Sequence, residues 1–190
     1  MIKQATLDLL DSELRNETSN FQSLSYTNRL KLFTFGLRID PLRSQEYFDR
    51  ISANNLKWNE PIKYSSKPNL DNIIKENEVG IYLFVVQPEK LILNMPQYVL
   101  YVGISGANDS QRPLRERLKD YFYYDKIKKR TNIHQMLGLY YDNIYIYYAY
   151  FDNINKNIED VETALHEFFS PHFARKAFEL ETRKAANAWQ

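Results

Sequence analysis

The sequence predicts an α+β fold: a small three-stranded mixed or antiparallel sheet flanked by helices, preceded by a helical N-terminal segment. Three observations predict it. Gly80–Val86 (GIYLFVV) and Tyr98–Ile104 (YVLYVGI) are short apolar runs rich in β-branched and aromatic residues, as buried strands require. Residues 144–151 (IYIYYAYF) form a third such run, rich in tyrosine. The segments around them repeat apolar residues at spacings of three and four, which turns one helix face toward a core.

In chain order, residues 1–53 read as helical. Leu7, Leu9, Leu10 and Leu14 make one apolar stripe and Leu30, Leu32, Phe33 and Phe35 another. Residues 41–53 open with Asp40 as a cap and Pro41 at the first helical position. Residues 54–79 turn polar, with Pro61, Ser65, Ser66 and Pro68, and read as a connector with a short helix near residues 70–75. The first two strands are separated by eleven residues that include Asn94, Met95 and Pro96, a hairpin loop between antiparallel neighbours. Residues 105–111 (SGANDSQ) are a turn-rich loop. Leu114, Leu118 and Tyr121 or Phe122 then fall at helical spacing, and Ile133, Met136, Leu137 and Tyr140 give residues 130–140 an apolar face. After the third strand, Asn157 and Ile158 open a helix that runs to about Phe169, Pro171 follows, and residues 175–188 read as the last helix. The reading divides the chain into a helical extension, residues 1–75, and an α+β domain, residues 76–190.

Composition narrows the function. The chain has 190 residues, 44% of them hydrophobic and 15% aromatic, enough for a real core and so against wholesale disorder. It has no cysteine, which removes disulfides and thiolate metal sites. No apolar run approaches a membrane span and the start resembles no signal peptide, so a cytoplasmic protein without membrane association is expected. A net charge of +1 argues against massive nonspecific nucleic-acid binding. Yet residues 112–130 hold Arg112, Arg115, Arg117, Lys119, Lys126, Lys128, Lys129 and Arg130 against Glu116, Asp120 and Asp125, which is +5 locally. Such a strip tracks phosphates or is a solvated helix face. Residues 1–79 are net neutral, with eleven Lys and Arg and eleven Asp and Glu, so the extension is no DNA-gripping arm.

A few residues stand out chemically. Tyr82 and Tyr101 each lie two residues from a strand glycine, Gly80 and Gly103, and glycine inside a strand often marks close approach of another backbone or a ligand. Arg117 and Tyr121 are four residues apart and share one helix face. Arginine offers a permanently charged fork suited to a phosphate gaining negative charge. Glu162 lies on or beside the stripe of Ile158, Val161, Leu165, Phe168 and Phe169. A carboxylate there requires an arginine partner or a hard cation such as Mg²⁺. His166, one turn after Glu162, is either its supporting partner or a half-exposed histidine. His134 and His172 show no ligand-like spacing, and the sequence has no Gly-rich phosphate loop, HExxH or zinc ligand set.

The ordered set Gly80-Ile81-Tyr82, Tyr101-Val102-Gly103, Arg117, Tyr121 and Glu162 resembles the GIY-YIG nuclease superfamily over residues 79–174. The resemblance implies a metal-dependent DNA endonuclease, with RNA an alternative substrate. It gives Tyr82 and Tyr101 the tripeptide tyrosine positions, where Tyr82, helped by Tyr101, would orient or deprotonate the attacking water. Arg117 would neutralise the scissile phosphate, with Tyr121 at the His/Tyr position beside it. Glu162 would hold one Mg²⁺ or Mn²⁺. Phe169-Ser170-Pro171 falls where the family often ends its helix with an aromatic-x-Pro. Arg112, Arg115, Lys119, Lys126, Lys128, Lys129 and Arg130 would contact nucleic acid, and double-strand cleavage would call for a homodimer. Two positions depart from the pattern: Ala174 where members commonly carry Asn, and Ile104 where some carry Lys. They support the alternative of a catalytically impaired nucleic-acid or protein binding module.

Overall fold

The computed structural model describes residues 2–23, 44–54, 56–87, 97–106, 112–151 and 158–173. The elements within them are α1 (Gln4–Ser23), α2 (Ser44–Ser52), β1 (Lys57–Trp58), β2 (Ile62–Lys63), α3 (Leu70–Ile73), β3 (Gly80–Val86), β4 (Tyr98–Ile104), α4 (Leu114–Lys119), α5 (Tyr124–Ile127), α6 (Thr131–Tyr140), β5 (Ile144–Tyr150) and α7 (Ile158–Phe169). The stripe at Leu30–Phe35, the cap at Asp40 and Pro41, the loop around Asn94–Pro96, Ala174 and the helix expected over 175–188 lie outside the described residues.

The fold is α+β, with helices flanking one sheet. Among the described residues the sheet has five strands where the sequence indicates three, and all their pairings are antiparallel, the second of the two arrangements expected. β3 lies between β4 and β5, and both β1 and β2 pair with the outer side of β5. These extra strands lie in the stretch read as a polar connector. Two residues cannot display an alternating pattern, so their pairing follows from the open edge of β5 and leaves no sequence signal.

Alternation along β3 sends side chains to two cores. Tyr82, Phe84 and Val86 join a larger cluster with Tyr64, Leu114, Leu118, Tyr121, Phe122, Met136 and Leu137. Ile81, Leu83 and Val85 join a second cluster with Ile158, Val161 and Leu165 of α7. The sheet therefore separates α4 and α6 on one face from α7 on the other. A bulge between Phe84 and Val85 shifts the register against β4.

The N-terminal helix belongs to the larger core. Leu7, Leu10 and Leu14 are buried in it, whereas Leu9, placed on the same stripe from sequence, is 50% exposed. Two residues of helix turn Leu9 by about 200° from Leu7, onto the outer face. Polar contacts fix α1 against the end of α6. The Tyr141 hydroxyl donates to Asp11 at 2.7 Å, Thr18 donates to the Gly138 carbonyl at 2.6 Å, and Arg15 pairs with Asp142 at 3.3 Å.

Candidate functional site

Four of the five residues proposed as catalytic from sequence meet on the larger-core face. Tyr82 comes from the middle of the sheet and Tyr101 from the neighbouring strand. Arg117 comes from α4, and Tyr121 from the single 3₁₀ turn (Asp120–Phe122) that continues it. The hydroxyls of Tyr82 and Tyr121 are hydrogen-bonded at 2.7 Å. Their rings lie 5.7 Å apart, and the Tyr101 ring is 6.3 Å from each. Phe84, two residues after Tyr82 on the same strand face, packs its ring 4.8 Å from that of Tyr121.

The tripeptide glycines have physical roles here. Gly103 faces Tyr82 across the β3–β4 ladder, and a Cβ there would stand 2.4 Å from the Tyr82 hydroxyl oxygen. At Gly80 a Cβ would stand 2.2 Å from the Ala149 carbonyl oxygen of β5. Each absent side chain makes room for a group of the protein itself: a phenol in one case, a backbone in the other.

Two arginines reach this cluster. Arg130, placed from sequence among the nucleic-acid contacts, donates from Nη2 to the Tyr121 hydroxyl at 3.1 Å and lies over the Tyr121 ring, 4.7 Å from its centroid. Arg117 is coupled most strongly to Tyr82, through charge and a side-chain hydrogen bond, and its pKa is raised further above an already high value. Its Nε is buried and has no hydrogen-bond partner among the described residues. Both guanidinium groups remain charged at any working pH.

The tyrosines are pushed the other way. Tyr82 and Tyr121 are completely enclosed, and burial raises the pKa of each phenol above the ordinary value near 10. Burial also raises Tyr101, the one residue of the three that keeps partial exposure. At neutral pH all three are hydrogen-bonding phenols and none is a ready-made phenolate.

Most of the basic strip is internally neutralised. Arg112 grips Asp120 (2.8 Å) and the Glu116 carbonyl (2.7 Å), and Lys126 pairs with the same Asp120. Arg115 donates to the Ile74 carbonyl at 2.7 Å and approaches Asp71 at 3.7 Å. Lys119 bridges Asp71 (2.8 Å) and Glu116 (2.7 Å), and its hydrogen bond is the first cause holding the Asp71 pKa down at about 2. Lys128 pairs with Asp125 at 2.6 Å. Among the described residues only Arg117, Lys129 and Arg130 of this strip have no carboxylate partner.

Glu162 stands apart. Its helix α7 packs on the opposite sheet face from Tyr82. It lies about 160° around α7 from Asp160, which pairs with Arg50 of α2, so Glu162 is on the flank turned away from α2. Its side chain is 27% exposed, and its Oε1 lies 3.8 Å from Nε2 of His166 across one turn. Among the described residues neither Lys nor Arg pairs with it, and no hydrogen bond or ion pair joins it to the tyrosine–arginine cluster. Among the described residues no group of three His, Cys, Asp or Glu side chains gathers as a metal site. A single carboxylate of this kind still suits Mg²⁺, which usually keeps several waters and takes its remaining ligands from substrate phosphate.

Sequence reasoning missed Tyr64, whose hydroxyl donates to the Tyr121 carbonyl and whose ring lies 4.8 Å from that of Phe122. It lies in the polar connector, where no pattern marks it. Arg130 was legible only as one cation among eight. No helix among the described residues is long and apolar enough to cross a membrane. Comparison with models of protein families, with curated proteins and with solved structures finds no match.

Proposed function

We propose that this chain is a metal-dependent DNA endonuclease that hydrolyses phosphodiester bonds at a GIY-YIG-type site. The observation that carries the reading is the meeting of Tyr82, Tyr101, Arg117 and Tyr121, distant in sequence, around one hydrogen-bonded pair of hydroxyls, with a guanidinium nitrogen left unpartnered beside them.

Arg117 binds the scissile phosphate and neutralises charge developing on it. Tyr101, the partly exposed phenol, orients the attacking water. Tyr82 and Tyr121 stand behind it and fix its surroundings rather than meeting solvent. Because burial raises all three pKa values, deprotonation of a phenol is unfavourable in the resting protein, and the neighbouring cations Arg117 and Arg130 are the groups that ease it. Glu162 is the residue that would hold Mg²⁺ or Mn²⁺, which would supply electrostatic stabilisation of a leaving oxygen; since its helix packs on the other sheet face from Tyr82, that oxygen would have to reach it around the edge of the sheet.

A second reading, a binding module that no longer cuts, is favoured by the full enclosure of Tyr82 and Tyr121. One assay separates the two. Supercoiled plasmid is incubated with wild type, Glu162→Ala or Arg117→Ala, in Mg²⁺, Mn²⁺ or EDTA. The nuclease reading expects metal-dependent nicking by wild type that is lost in both variants. Binding without nicking by wild type, in either metal, would sink it in favour of the module. Ala174→Asn then asks whether that side chain restores cutting.

A further inference from the structure

We propose that Arg130 is the second arm of a phosphate-binding seat shared with Arg117, and that the DNA footprint of this face is confined to Arg117, Arg130 and Lys129. This rests on the reading of the site as one that takes a phosphodiester. Arg130 leads into α6 and folds back onto Tyr121, donating at 3.1 Å with its guanidinium carbon 4.7 Å above the ring. Arg117 is coupled to Tyr82 on the other side of the same hydroxyl pair, whose oxygens are 2.7 Å apart. One hydrogen-bonded pair of phenols thus has Arg130 on one member and Arg117 coupled to the other. Two cations that serve one pair of phenols, with no carboxylate partner for either, leave positive charge that an anion can neutralise. Elsewhere on the strip the chain has supplied carboxylates for its cations: Asp71, Glu116, Asp120 and Asp125. Here it supplies phenols, which bring no negative charge of their own; Tyr82 and Tyr121 are enclosed, and Tyr101 keeps partial exposure.

The footprint can be counted through salt dependence. Eight cations all on phosphates give a slope of log K against log salt of about −7, whereas three give about −3 or shallower. The probe is a fluorescein-labelled 20-base-pair DNA duplex, followed by anisotropy in EDTA from 20 to 200 mM salt, so cleavage does not intervene. The expected slope is about −3 or shallower. Arg130→Met should weaken binding about tenfold, the loss of one charged hydrogen-bonding partner. Arg130→Lys keeps the charge and should recover part of that loss, which a collapsed fold would not. Lys126→Ala and Lys128→Ala should bind as wild type does.

A slope near −7, or losses at Lys126 and Lys128 with none at Arg130, would overturn the proposal while leaving the nuclease reading standing. Cleavage-competent protein that ignores Arg130→Met would do the same. Absence of any DNA binding would overturn both.

Discussion

Replacing Gly103 with alanine would set a methyl carbon 2.4 Å from both Cζ and the hydroxyl oxygen of Tyr82. A contact that short cannot persist, so one of the two must move. The backbone of β4 is held in the ladder opposite β3, and the Tyr82 ring is fully enclosed between Phe84, Tyr101 and Tyr121. Overpacking of this kind costs about 1–3 kcal/mol. Displacing Tyr82 also strains its 2.7 Å bond to Tyr121, and a buried hydroxyl left short of a partner adds about 1–3 kcal/mol. Arg130 still holds Tyr121, which keeps that second cost at its lower end. The sum is about 3 kcal/mol, and for a chain of this size it lowers the melting temperature by roughly 6–12 °C. Thermal melts of wild type, Gly103→Ala, Tyr82→Leu and the double variant form a cycle. Leucine lacks the distal ring atoms that the methyl group meets, so the double variant should recover about 1 kcal/mol or more relative to additivity. A Gly103→Ala protein that melts within a degree or so of wild type, or strict additivity, would refute the close-packing account.

Three further outcomes are expected. Tyr121→Phe removes the hydroxyl shared by Tyr82 and Arg130, and should lower stability by about 1–3 kcal/mol in a denaturant titration. Leu14→Ala empties a fully buried site in the core shared with the sheet and should cost about 2–5 kcal/mol; a change under 1 kcal/mol would mean that α1 is a loosely attached appendage. Alkaline pH should destabilise the fold. Burial raises Tyr82, Tyr101 and Tyr121, and brings Tyr140 and Tyr148 to about 12, whereas the unfolded phenols titrate near 10. Their stabilising contribution is therefore complete below pH of about 10 and is lost as the pH rises through the folded-state values. Absorbance of phenolate at 295 nm should accordingly rise in step with unfolding for these residues, and free titration near pH 10 with the fold intact would contradict it.

The strands β3, β4 and β5 were readable because seven consecutive residues in each carry enough bulk and branching to declare themselves. The pair Arg117 and Tyr121 was readable because helical spacing depends on sequence distance alone, and it survives even where the helix tightens into a 3₁₀ turn. What was not readable depends on contacts between distant segments. β1 and β2 exist because β5 offers a free edge, which no local pattern announces. The division of the basic strip into paired and unpaired cations depends partly on Asp71, some forty residues away in sequence. The flank of α7 that carries Glu162 followed from periodicity, but the sheet face that the helix covers did not, since both faces of β3 are equally apolar.

The contact between Arg15 and Asp142 spans 127 residues, and Thr18 reaches 120 residues to Gly138. During synthesis at the usual 5–20 residues per second, the first helix therefore waits roughly 6–25 s for its partners to be made. Throughout that interval Leu7, Leu10 and Leu14 have no native surface to cover them. The hairpin of β3 and β4 forms from neighbouring sequence, but its larger apolar face stays uncovered until α6 and β5 follow. A topology this nonlocal folds slowly for its size, and the nascent chain between the first helix and the last strand is the stage at which chaperones have most to bind.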